Sequence, residues 1–212
     1  PARSGTSILG KILGSCKSTE YCYEPETLIY IASICKKISK KIWRTLYNRY
    51  LTENLLRIIT GRSINLKDNE NSSINSFKSK KEIKEKLKSN LSEIDLEEYV
   101  KRKKISFIIK SPNLKIKNLA TEYPQQKIVV IQRNHYEIIN SILKKKWFQK
   151  KNYLKTFQPT IKIKNNYYPS WMHKKFIKFW RESNEQTKCA IYLLCCYEDI
   201  KHIKNIFYFN YK

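Results

Sequence analysis

The spacing of apolar residues changes character along this chain, and each change predicts a different kind of element. A short apolar run from Ile8 to Leu13 follows Pro1-Ala2-Arg3-Ser4-Gly5-Thr6-Ser7 and predicts a helix opened by a Gly/Ser/Thr turn. Glu20-Tyr21-Cys22-Tyr23 is an extended stretch, and Pro25 in Glu24-Pro25-Glu26-Thr27 suits the first turn of the next helix. From Leu28 to about Thr60, residues such as Ile31, Ile38, Ile42, Leu46 and Tyr50 recur at helical spacing, which predicts one or two amphipathic helices stopped by Gly61. Residues 62–78, rich in Asn and Ser, predict an exposed loop. Residues 79–104, dominated by Lys and Glu with Ile83, Leu87, Leu91, Ile94 and Leu96 as sparse anchors, predict a solvated helical insertion.

The pattern then becomes β-branched. Ile105-Ser106-Phe107-Ile108-Ile109 and Lys127-Ile128-Val129-Val130-Ile131 each predict a buried strand. The first is bounded by Lys110-Ser111-Pro112-Asn113 and leads to a short helix ending at Tyr123-Pro124; the second leads through Arg133-Asn134-His135 to a helix from Tyr136 to about Lys146. Strand, helix, strand, helix with continuous apolar strands implies an α/β fold with a parallel sheet flanked by helices. Ligands in such sheets sit at the carboxyl ends of the strands, where Lys110 and Arg133 fall. Residues 147–170 mix Trp147, Phe148, Tyr153, Phe157, Tyr167 and Tyr168 with lysines, as an acceptor-side lid or a base-stacking surface would. Trp171, Phe176, Phe179 and Trp180 read as core, a helix spans about 185–198, and Ile206-Phe207-Tyr208-Phe209 closes as a strand. We take all 212 residues as one domain.

Composition changes this picture in one respect. Forty-three Lys and Arg against 18 Asp and Glu give a formal charge of +25, which attracts polyanions, although Lys, Ile, Asn and Tyr are abundant in every segment and part of the excess is compositional. Six cysteines without a CxxC pair argue against zinc, and adjacent Cys195 and Cys196 in an apolar helix read as reduced, buried thiols of a cytoplasmic protein. No apolar stretch is long enough to span a bilayer. The sequence begins directly on the turn, with no strand ahead of it, and stops inside a strand, as a fragment lacking its first strand and its C-terminal end would.

The candidate chemistry starts at the opening. Three of the four glycines, Gly5, Gly10 and Gly14, fall here, and a glycine turn feeding a helix N-terminus directs unpaired N–H groups at one point. Arg3 adds a planar cation, and Ser4, Thr6 and Ser7 add hydroxyl donors. Alone, the stretch reads equally as an anion site or as a capped helix.

Joined to the later segments, it acquires a resemblance. Pro1 to Ser7 resembles the 5′-phosphosulfate loop of sulfotransferases that use 3′-phosphoadenosine-5′-phosphosulfate (PAPS), and Ile128 to Ser141, with Arg133-Asn134 and a serine eight positions after the arginine, resembles their 3′-phosphate segment. Tyr23-Glu24-Pro25 is similar to the Tyr-Glu-Pro of carbohydrate sulfotransferases, and Ile109-Lys110-Ser111-Pro112 to a strand end of bacterial members. GxxxxGK[ST] does not occur, so a P-loop kinase or NTPase is excluded.

The resemblance implies a P-loop-like sulfotransferase architecture and sulfuryl transfer from PAPS to a carbohydrate or glycolipid hydroxyl, without a metal. It implies that Arg3, Ser4, Gly5, Thr6 and Ser7 cradle the leaving phosphate and that Arg133 and Ser141 hold the 3′-phosphate. Glu24, flanked by Tyr21, Tyr23 and Pro25, is the candidate general base, and Lys110 the cation that neutralises the transferring group. Pro112 stands where related enzymes carry a catalytic histidine, which removes that base; His135 reads as a helix-start residue, and His173 and His202 show no partner. Two other readings stay open. One is a non-catalytic basic module binding nucleic acid or another polyanion, although the acidic residues mixed through 79–104 argue against nucleic acid. The other is a truncated or decayed sulfotransferase.

Overall fold

The computed structural model describes residues 2–68, 73–111, 116–149, 152–156 and 159–211. Pro1, the Pro112-Asn113 turn and Phe157, all used above, lie outside the described residues. In chain order the elements are α1 (Thr6–Ser15), β1 (Thr19–Tyr23), α2 (Glu26–Ser33), α3 (Lys40–Ile59), α4 (Lys80–Leu87), α5 (Glu93–Lys103), β2 (Ser106–Lys110), α6 (Ile116–Glu122), β3 (Ile128–Gln132), α7 (His135–Lys144), α8 (Asn152–Thr156), β4 (Thr160–Ile163), β5 (Asn166–Pro169), α9 (Ile177–Glu182), α10 (Glu185–Ile200) and β6 (Ile206–Asn210). They group into two compact units, one holding Thr6–Ile31 and Lys37–Ser111, the other Pro1–Gly5, Ala32–Lys36 and Pro112–Lys212. The fold is mixed α/β, with small parallel sheets flanked by helices.

In the first unit β1 and β2 pair in parallel, with Thr19 opposite Ser106 and Tyr23 opposite Lys110. α1 lies against this pair because Gly10 and Gly14 leave room for Tyr21: a Cβ at Gly10 would overlap the Tyr21 ring, and one at Gly14 would come within 2.9 Å of the Tyr21 Cβ. Tyr21 is buried, as are Leu28, Trp43, Tyr47, Ile58, Ile59, Ile74 and Leu96. Ser39 caps α3 by accepting from the Ile42 N–H, and Trp43 stacks on Tyr47 at 5.1 Å while its indole N–H donates to the Ile31 carbonyl.

The two regions expected to face solvent do so only in part. Asn65, Ser73, Ile74 and Lys78 are buried, and the Lys78 ammonium donates to the carbonyls of Cys16 (3.2 Å) and Thr19 (2.8 Å), which holds this Asn/Ser-rich segment against the end of α1. Polar composition gave no sign of that, because the partners are backbone carbonyls. In the helical insertion, Leu96 is buried and Lys86 forms a buried ion pair with Glu20, whereas Leu87 and Ile94 point outward.

In the second unit β3 and β6 pair in parallel, Ile128 opposite Ile206, and β4 and β5 form an antiparallel hairpin. Its core is aromatic: Phe148, Trp171, Trp180 and Tyr192 pack with centroid separations of 5.1 to 6.3 Å, together with Ile138 and Ile142 of α7 and Cys189, Ile191 and Cys195 of α10. Three expectations change here. Phe148 and Tyr168, counted in a lid over 147–170, are core residues, and the Tyr168 hydroxyl accepts from Arg181 at 2.5 Å; on β5 Tyr168 faces inward while its neighbour Tyr167 is exposed. Phe179, counted as core with Trp171 and Trp180, is exposed. β3 is not the fully buried strand expected: Val129 and Phe207 of β6, opposite each other, are 47% and 56% exposed, so one face of the pair is open.

None of the six cysteines forms a disulfide. Burial pushes the thiols of Cys22 and Cys189 up from 9.0 to about 11 and that of Cys195 to about 12. Their folded values lie above their unfolded ones, so the unfolded chain releases these protons first and stability falls from about pH 9 upward. Thermal melts at increasing alkalinity should show that fall, and Cys189→Ala with Cys195→Ala should flatten it. Gly10→Ala should lower stability by about 1–3 kcal/mol through overpacking against Tyr21, read from denaturant titration.

Candidate functional site

Two groups of polar side chains gather the residues singled out by sequence, one in each unit. The group in the second unit begins where β3 ends. Gln132 is the last strand residue, Arg133 follows, and Asn134 caps α7, its side-chain oxygen accepting from the Tyr136 N–H at 2.9 Å. Ser141 lies on α7. Arg3 comes to this edge from the other end of the sequence. Its backbone is left-handed (φ 64°), as is that of Gly5 (φ 95°), and two such residues so close together turn the chain sharply. The backbone N–H of Ala2 donates to the Tyr192 hydroxyl at 2.8 Å, which ties the turn to the aromatic core.

The resulting geometry ties the two segments together through a backbone carbonyl and a serine hydroxyl. Arg3 Nε donates to Ser141 Oγ at 3.0 Å, and Arg133 Nη1 donates to the Arg3 carbonyl at 3.3 Å. The Arg133 guanidinium lies 5.3 Å from the centroid of the Tyr211 ring, and its Nε pairs with Glu137 at 2.7 Å. Tyr211 is held by its own N–H on the Gln132 carbonyl at 2.8 Å, and its ring covers Gly5, where a Cβ would meet it at 3.1 Å. Ser4 is fully buried. The sequence assigned Arg3 to the leaving phosphate and Ser141 to Arg133; in the structure the Arg3 side chain is the one on Ser141.

The group in the first unit is centred on Lys110, the last residue of β2. Its ammonium donates to Ser7 Oγ at 2.9 Å, pairs with the Glu24 carboxylate and lies 4.1 Å from the centroid of the Tyr23 ring. The Lys110 side chain is 7% exposed and that of Glu24 is 33% exposed. The parallel ladder of β1 and β2 runs on one residue further, with the Glu24 N–H on the Lys110 carbonyl at 3.2 Å. That bond accompanies a left-handed backbone at Glu24 (φ 40°), a costly conformation for a residue with a Cβ. Glu24 is therefore not in the apolar setting that its neighbours Tyr21, Tyr23 and Pro25 implied; it faces a cation. Thr6 opens α1 and Ser7 follows in its first turn, with the Ser7 hydroxyl on Lys110.

Of the histidines, His135 is the first residue of α7, as expected of a helix-start residue. His173 does have a partner: its Nε2 lies 3.2 Å from Asp199 Oδ1, a long-range contact across 26 positions that local spacing could not reveal. Among the described residues, no group of three or more His, Cys, Asp or Glu could hold a metal ion, and no helix is long and apolar enough to cross a membrane. Sequence reasoning missed Glu137, although its place four residues after Arg133 was a usable signal, and Tyr211, for which there was none. Comparison with protein-family models, with curated proteins and with solved structures finds no match to this chain.

The Lys110 group has a direct consequence for stability. Glu24→Ala would leave the Lys110 ammonium nearly buried beside Ser7 and without its carboxylate. The expected loss is about 1.5–3 kcal/mol in a urea titration, and Lys110→Met added to Glu24→Ala should recover part of it.

Proposed function

We propose that this chain is a PAPS-dependent O-sulfotransferase of P-loop-like architecture, acting in the cytoplasm on a hydroxyl of a carbohydrate or glycolipid. The observation that carries the reading is the meeting of Arg3 and Arg133. The two segments likened to the phosphosulfate loop and the 3′-phosphate segment are 130 positions apart, yet Arg133 Nη1 donates to the Arg3 carbonyl and Arg3 Nε to Ser141. Two permanent cations, a serine hydroxyl and a glycine turn are a donor set suited to phosphate oxygens, and guanidinium forks bind them in pairs. The cytoplasmic placement rests on six cysteines without a disulfide.

PAPS supplies a sulfuryl group on a good phosphate leaving group; the rest is done by side chains and backbone. Arg3, Arg133 and Ser141 would bind the 3′-phosphate, and Arg3 takes that role in addition to the loop role its sequence position implied. By the resemblance, the turn N–H groups of Gly5, Thr6 and Ser7 would stabilise the charge left on the 5′-phosphate as the S–O bond breaks; preorganised donors of this kind are worth about 2.7–4 kcal/mol each in the transition state. Glu24 would take the proton from the attacking hydroxyl, so that oxygen bonds to sulfur as its proton leaves. Lys110, already paired with Glu24, would hold that carboxylate in orientation and offer its remaining N–H to the transferring group.

Isothermal titration calorimetry with adenosine 3′,5′-bisphosphate tests the donor half. Arg3→Ala and Arg133→Ala should abolish binding, and unchanged affinity in both would overturn the reading. Glu24→Gln should leave that affinity intact and lower turnover by about 10²–10⁴-fold in a sulfate-transfer assay, and a near-normal rate would remove Glu24 from its role. Binding of DNA or RNA with steep salt dependence, and no transfer from PAPS, would favour a polyanion-binding module instead.

A further inference from the structure

Arg133 is occupied by a carboxylate of its own chain. Its Nε pairs with Glu137 Oε2 at 2.7 Å, with the Arg133 side chain 29% and the Glu137 side chain 56% exposed. A carboxylate in the first turn of α7 suits the helix dipole, but that does not require Glu137 to reach back to Arg133. Arg133 precedes the cap residue Asn134 and so is not part of α7, and the order, cation before carboxylate, is the less favourable one for a pair four apart. Asn134 already caps the helix. The other attachments of Arg133, its Nη1 on the Arg3 carbonyl and its guanidinium near the Tyr211 ring, leave Nε and one amino group as the edge on which a bidentate anion would sit. Glu137 holds part of that edge.

We propose that Glu137 is an internal competitor for the 3′-phosphate of the nucleotide: its carboxylate occupies Arg133 in the free protein and is displaced when a 3′-phosphate binds. The inference rests on the sulfotransferase reading above. A partly exposed ion pair is weak, so a phosphate carrying more charge and two acceptor oxygens displaces it at small cost. The cost is paid only by a ligand that bears the 3′-phosphate, since one with a 3′-hydroxyl leaves the Arg133–Glu137 pair in place. Glu137 thereby lowers the affinity for the bisphosphate product and returns to Arg133 as that product leaves.

The experiment is calorimetric titration of the full chain, as wild type, Glu137→Gln, Glu137→Asp and Arg133→Ala, with adenosine 3′,5′-bisphosphate and with adenosine 5′-monophosphate. Glu137→Gln should bind the bisphosphate roughly two- to fivefold more tightly at low salt and the monophosphate unchanged, with the gain shrinking as salt is raised. Glu137→Asp, which keeps the charge, should fall between wild type and Glu137→Gln. Weaker bisphosphate binding in Glu137→Gln would make Glu137 a support for Arg133, and equal binding would make it a surface pair; either overturns the proposal while leaving the nucleotide reading intact if Arg133→Ala still loses the bisphosphate. No binding of either nucleotide to any variant would overturn both.

Discussion

An ammonium group that is nearly sealed from water must find its counter-charge inside the protein, and Lys110 does so in a way that fixes three segments at once. Its carboxylate partner directly follows β1, its hydroxyl partner belongs to the first turn of α1, and its own backbone carbonyl receives the Glu24 N–H. The strained backbone of Glu24 is tolerable only because these contacts over-determine it. If the charge on either partner is removed, the edge of the β1–β2 pair loses both its electrostatic balance and the reason for its shape. The candidate base and the candidate cation are thus one structural unit before they are two chemical groups, and stability and chemistry cannot be varied independently there.

The second unit solves a similar problem with planar cations. Arg3 and Arg133 each present a planar fork of donors, and the structure spreads those donors over a serine hydroxyl, a backbone carbonyl and a glutamate. An aromatic core holds the scaffold around them, with Tyr192 reaching out to the N–H of Ala2 so that the turn is tied to the most densely packed part of the unit. A site of this kind is precise because its supports are large rigid rings.

Much of this was legible in the sequence and some could not have been. Spacing places β2, β3, α7 and α10 within a residue or two, because periodicity reports which face of an element is apolar. Local motifs singled out Arg3 to Ser7, Glu24, Lys110, Arg133 and Ser141, but not Glu137 or Tyr211, which lie against Arg133. What local motifs could not supply was the pairing among them. That Arg3 reaches Ser141, that His173 meets Asp199 and that Lys78 satisfies carbonyls near the end of α1 are contacts between distant positions. Composition also misled at Phe148 and Tyr168, whose lysine-rich surroundings pointed outward while the rings went in, although the equally large Tyr167 stayed exposed. Conversely, the apolar run of β3 promised two covered faces, and Val129 shows that a run of apolar residues states a capacity for burial and not its extent.

Gly5 is constrained twice over. Its φ of 95° disfavours any side chain, and the Tyr211 ring occupies the space where a Cβ would go. The two positions are therefore coupled across nearly the whole sequence. A side chain at 5 is accepted only where the ring at 211 yields by a few tenths of an ångström or is lost, and even then the backbone strain persists. In any set of diverged sequences of this protein, a glycine at 5 should therefore persist more strictly than an aromatic at 211, and the rare loss of that glycine should travel with loss of the ring.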